Sequence, residues 1–174
     1  MSFAIIDDVT NNWGAEMQYL ASRTLLGRPS RLTVGAQYFG YRQADLNFAN
    51  VRGSRGAKTK DQINEAANTG IYAENQIEAT ETFTVVVGGR GQYAHRRVRD
   101  RFQIENDPDV DDSGAVDFFS LTPKVGFIWQ AMPSVQVYGN ASRAYGPPVI
   151  LELTAPGQIG SDLRQLKAQK ILAV

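Results

Sequence analysis

Cysteine is absent from the 174 residues, and histidine occurs once, at His95. The first absence excludes disulfides and thiolate metal sites and leaves the redox compartment open. Together the two leave little from which a protein-built transition-metal site could be assembled. A Ser/His/Asp catalytic arrangement has no support either, because no G-x-S-x-G motif accompanies the one histidine, and the chain is not expected to be an enzyme. Net charge is also missing: 18 basic and 18 acidic side chains cancel. Bulk charge therefore argues neither for a nucleic-acid partner nor for an acidic substrate. No run of about 18 apolar residues occurs, which excludes a transmembrane helix. A membrane barrel stays open, since its strands need only every second residue to be apolar. The opening MSFAIIDDVT has no positive segment followed by an apolar one, so no secretory signal peptide is expected.

What is present suits β-structure: 16 Gly, 10% aromatic residues and many Gln, Asn and Thr. The most informative stretch is Asp117 to Pro148, DFFSLTPKVGFIWQAMPSVQVYGNASRAYGPP. Successive strand side chains point to opposite sides. Phe119, Leu121, Pro123, Val125, Phe127 and Trp129 therefore share an apolar face, with aromatics near each end. Phe118, Ser120, Thr122, Lys124, Gly126, Ile128 and Gln130 share a mixed, mostly polar one. Met132-Pro133-Ser134 turns the chain, and a second alternating run begins at Val135, with Val137, Gly139 and Ala141 on its apolar face. Soluble strands usually run about five or six residues, whereas a tilted strand crossing a bilayer needs about nine to eleven. The arms of this hairpin reach that figure.

The rest of the chain repeats the pattern. Strands are expected over Asn12 to Ser22, Arg31 to Asn47, Thr69 to Glu78 and Thr82 to Arg101, with a last one starting in LKAQKILAV. On the second strand Leu32, Val34, Ala36 and Tyr38 oppose Thr33, Gly35, Gln37 and Phe39; on the fourth Val85, Val87 and Tyr93 oppose Thr84, Arg90 and Gln92. The polar, Gly- and Lys-rich stretch from Ala49 to Asn68 reads as a loop in which KDQINEAAN (60–68) makes a helical turn. The connections then alternate short and long: 23–30, 49–68, 79–82, 102–116, 132–134 and 146–165. Short turns on one rim and long loops on the other are the layout of an outer-membrane barrel. The expected fold is all-β, an antiparallel up-and-down meander of about six or seven long strands in one unit, residues 1–174. It is read as a partial transmembrane β-barrel. A porin or enzyme barrel and a soluble β-sandwich binding module are the alternatives.

Several motifs resemble the TonB-dependent receptors of the bacterial outer membrane, the ferric-siderophore type most of all. GIYAENQIEATETFTVVVGGRGQY (70–93) is similar to that family's strand–turn–strand, with its G-x-Y-A-(E/Q)-(N/D)-Q start. FSLTPKVGFIWQAMPSVQVYGNASRAYGPPVILELT (119–154) resembles the next strand pair, with (S/T)-P-K-x-G, an x-P-(S/T) turn and S-R-x-(Y/F)-x-P-P. LKAQ (166–169) resembles the approach to the strand after it. The resemblance implies import of a ferric-siderophore complex across the outer membrane of a Gram-negative bacterium. It also implies contact with TonB through a plug domain, and a surround of outer-membrane lipid and lipopolysaccharide. Members of the family close about 22 strands around the plug. Six or seven strands without plug or TonB-contacting box therefore read as an internal slice of a receptor barrel, because an unclosed sheet in lipid leaves a row of unpaired backbone groups.

On this reading HRRVRDR (95–101) lies at the extracellular end of its strand. Arg96, Arg97 and Arg99 could attract an anionic ferric chelate or the phosphates of lipopolysaccharide, or form a solvated strand end balanced by the acidic loop that follows. Tyr93 and Tyr145 near the same rim are ligand contacts or interfacial aromatics. Glu74, Glu78, Arg90 and Lys124 fall on the polar face and read as a wall that packs a plug. Asp107, Asp109, Asp111 and Asp112 faintly resemble a calcium loop, but Pro108 interrupts it and no closing Glu stands where an EF-hand needs one. GGRG (88–91) lacks the Lys-Ser/Thr of a phosphate loop. No cofactor is expected. Pro123 is awkward in a central strand and suggests a bulge.

Overall fold

The computed structural model describes residues 4–102 and 113–147, together with the backbone of residues 170–173. Every regular element among them is a strand: β1 (Ala4–Leu25), β2 (Arg28–Val51), β3 (Ser54–Glu78), β4 (Phe83–Asp100), β5 (Gly114–Met132), β6 (Val135–Tyr145) and β7 (Lys170–Ala173). They form one sheet in sequence order, β1 to β7, each strand antiparallel to the next. The expected all-β meander is what the chain forms.

Register fixes which side chains share a face. Trp13 pairs with Gly40, Tyr19 with Val34, Val34 with Ala73, Asn75 with Val87, Val87 with Val125 and Val125 with Ala141. The apolar faces read strand by strand therefore join into one band on the outward side. On it Met17 and Phe119 are each 74% exposed, Ile71 65% and Leu121 63%. Among the described residues no second layer covers the band, and a contiguous apolar surface of this extent is foreign to a soluble monomer. Among the described residues the buried apolar side chains are few, namely Ile63, Val86, Ala94 and Val98.

Three glycines let large side chains lie flat against the sheet. The Trp13 ring lies over Gly40, Phe39 over Gly14 and Tyr72 over Gly35; a Cβ at any of the three would overlap the ring. An aromatic ring covering a neighbouring strand's glycine restores the packing that glycine gives up.

The strands are longer than the alternation alone suggests, and the second loop is a correction. Residues 49–68 are strand, not loop: β2 runs on to Val51 and β3 begins at Ser54, joined by Arg52-Gly53. KDQINEAAN is extended and makes no helical turn, and β1 starts at Ala4 rather than Asn12. Arg52 and Gly53 have φ of 54° and 88°, and Leu26 and Gly27 have 53° and 76°. Positive φ at both central residues is what a two-residue hairpin turn needs to match strand twist. The Asn50 Oδ1 accepts from the Gly53 N–H at 2.7 Å and supports the tip. The alternation of short and long connections thus fails at its first long member. From Ser54 to Asn68 charge falls on both faces, with Lys60 inward and Asp61 and Glu65 outward, so no periodic contrast marks this part of β3 as strand.

Pro123 makes no bulge: it pairs in register with Gly89, and the β5–β6 ladder begins one residue later, at Lys124. At the start of a ladder a missing N–H is tolerated. Irregularities fall instead between Asn47 and Asn50 and between Gln130 and Met132. The four aspartates read as a faint calcium loop and most of the Pro/Gly segment after Gly146 lie outside the described residues.

Candidate functional site

The upper end of β4 carries the basic cluster, and the pleat divides it. Odd positions, which continue the row of Val85, Val87 and Tyr93, face outward; even positions face inward. Arg96 therefore points to the concave side, where it is 5% exposed. Its guanidinium donates to the carbonyls of Ala67 at 3.2 Å and His95 at 2.9 Å, and to the Asn68 Oδ1 at 3.0 Å. Tyr145, at the end of β6, is close enough to feel the Arg96 charge. Arg97 and Arg99 are exposed on the outward side.

Tyr93 is outward as well, opposite Phe119 across the β4–β5 ladder. Its hydroxyl donates to the Asp117 Oδ1 at 2.7 Å, and the same oxygen lies 2.6 Å from the His95 Nδ1. The structure thus sets Arg96 apart on the inward face, with Tyr145 within range of its charge. It sends Tyr93, Arg97 and Arg99 to the other face.

The inward wall is polar and internally paired. Lys124 Nζ lies 2.7 Å from the Glu74 Oε2, across the row Glu74–Gly88–Lys124. Arg90 donates to the Gln37 Oε1 at 3.3 Å, and Tyr72 donates to the Glu16 Oε1 at 3.1 Å while accepting from Gln18 at 3.1 Å. Higher up, Phe39 and Tyr41 stand two residues apart over a shallow hollow of about 460 Å³ lined also by Asn12, Ala66 and Asn68. Above that, Gln43 donates to Asp8 at 3.2 Å, and burial, with Asp45 alongside, pushes the Asp8 carboxyl up.

On the outer side of the same region Asp61 is held by Lys58 and Arg101. Lys58 Nζ lies 2.8 Å from one oxygen, Arg101 Nη2 lies 2.6 Å from the other, and the Arg101 backbone N–H donates to the Asp61 carbonyl at 2.8 Å. Burial opposes the charge on Asp61, yet the hydrogen bonds from Lys58 and Arg101 outweigh it and hold the carboxyl below the usual range.

Asp61, Asn68 and Asp117 were not among the residues singled out from sequence. Apart from Lys58 beside Asp61, their partners here lie 22 to 40 positions away, and only the strand register shows that they meet. Among the described residues no group of three or more His, Cys, Asp or Glu side chains is placed to hold a metal ion.

A single-layered antiparallel meander, with a continuous apolar band outside and a polar, ion-paired wall inside, is a segment of a transmembrane β-barrel. Residues 3–172 match the family described as TonB dependent receptor-like, beta-barrel, and the chain belongs to that family. Among solved structures, the ferric citrate transporter FecA in its unliganded form superposes with a TM-score of 0.75 at 15% identity. The match covers 96% of this chain and 25% of that one, so the sheet has the fold of part of such a barrel. No curated protein sequence matches significantly.

Proposed function

We propose that this chain is part of an outer-membrane receptor of a Gram-negative bacterium that binds a ferric-siderophore complex outside and imports it. TonB drives the passage through a plug domain seated against the inward wall. The observation that carries this reading is the pairing of faces: an outward apolar band across six strands and an inward polar wall on which Glu74 pairs with Lys124 and Asp45 with Lys60. Such a wall suits a polar domain packed inside the barrel. Family membership supports the transport class, and the named cargo of the superposed structure supports a ferric chelate. Of the five side chains expected to meet ligand, Arg96 is the one aimed at the concave side by the strand register, with Tyr145 nearby. Outer-membrane lipid and lipopolysaccharide meet the outward band.

The test is uptake of radioactive ferric chelates by iron-limited cells with and without the receptor that carries this chain. Uptake of one chelate should vanish on deletion and on collapse of the proton-motive force. Unchanged uptake across hydroxamate, catecholate and citrate chelates would overturn the reading.

A further inference from the structure

Three consecutive outward positions of β4 are basic, His95, Arg97 and Arg99, and Arg101 follows just past the end of the strand, with Arg96, Val98 and Asp100 turned inward between them. Both ends of this ladder are occupied, His95 by Asp117 at 2.6 Å and Arg101 by Asp61 at 2.6 Å. The two middle members are different. Arg97 and Arg99 are exposed and make no hydrogen bond or ion pair with any described residue. They stand about 7 Å apart along the strand. Opposite Arg97, Glu65 is engaged by Arg42 at 3.7 Å, which adds a third guanidinium to the same outward patch.

Position along the strand decides what the patch meets. Tyr93 and Phe119 are the top of the outward apolar band, and Arg97 lies two steps above Tyr93 on the same face. We infer that Arg97 and Arg99 bind the phosphate of a lipopolysaccharide headgroup whose acyl chains lie on Tyr93, Phe119 and Leu121. This rests on the reading that the outward band faces lipid. A molecule seated on that band has its headgroup at the height of the two free guanidiniums. Phosphate is the anion that their planar forks match. The same pleat that removes these arginines from the concave side makes them available to the leaflet.

The receptor carrying this chain, purified in mild detergent from outer membranes, provides the test. Lipopolysaccharide that stays bound is counted by phosphate assay and mass spectrometry for wild type, for R97Q/R99Q and for R28Q, an outward arginine beside the short turn at the opposite rim. R97Q/R99Q should retain about tenfold less lipopolysaccharide, since each basic side chain at an anionic lipid surface favours binding severalfold, while R28Q retains the wild-type amount. Equal retention by R97Q/R99Q and wild type would overturn the inference. So would an equal loss in R28Q, which would make the effect one of bulk charge. Release of the wild-type receptor from membranes by alkaline carbonate would instead overturn the membrane reading beneath it.

Discussion

Asp61 shows how one side chain can fix the geometry of a rim. It is buried and takes charge-assisted hydrogen bonds from Lys58 and Arg101, so it ties the residue that follows β4 to β3 as the chain leaves the sheet. Replacing it with Asn keeps the volume and removes the charge that both cations face. Charge-assisted bonds of this kind contribute about 2 kcal/mol, so D61N should expose the bond after Arg101, read as faster trypsin cleavage there. The pH dependence has a definite sign. The folded carboxyl is held below its ordinary range, so its contribution is full above about pH 4 and is lost as pH falls through the lowered value. The difference between wild type and D61N in refolding equilibria should shrink only under acid conditions below that point. A difference that vanished near neutrality would contradict the assignment.

At the scale of elements, the glycine-supported rings are the joints of the hairpins. Tyr72 lies over Gly35 and holds Glu16 and Gln18 of β1 from two strands away. G35A forces the ring aside and breaks both hydrogen bonds. A cost of about 1 to 3 kcal/mol follows from overpacking of this kind, measurable as a lower temperature for loss of heat-modifiable gel mobility. G89A, at a site with no side chain within 4 Å, should have a smaller effect.

The same elements show what sequence could and could not reveal. The outward row Leu32, Val34, Ala36, Tyr38 was legible because Thr33, Gly35 and Gln37 alternate with it. The end of β2 past Asn47 and the start of β3 up to Asn68 were not, because Lys60 faces inward while Asp61 and Glu65 face outward, which erases the contrast on which periodicity depends. Arg97 and Arg99 were legible as basic but not as a pair set apart from Arg96. Counting parity from Tyr93 would have separated them, once the strand was known to run unbroken to Asp100.

For the whole molecule, the deciding property is that the two faces of one sheet live in different solvents. Lys124 and Val125 are neighbours in the chain, yet one pairs with Glu74 on the inner wall and the other sits mid-band outside. V125R should therefore cost about 2 to 4 kcal/mol in a lipid bilayer, whereas T122R, one step inward, should cost much less. Folding into phosphatidylcholine vesicles, followed by the same gel shift, separates the two. Equal tolerance of both would mean that the band does not face lipid.

The strictly sequential strand order also bears on how such a sheet changes over evolutionary time. Each strand touches its chain neighbours alone in the ladder, so loss of β3 and β4 together would leave β2 and β5 antiparallel, with their outward faces still on the same side. Loss of one strand would instead force its successors to run backwards and carry every short turn to the wrong rim. The hairpin is therefore the heritable unit of gain and loss, and lineages of such sheets should differ in girth by even numbers of strands.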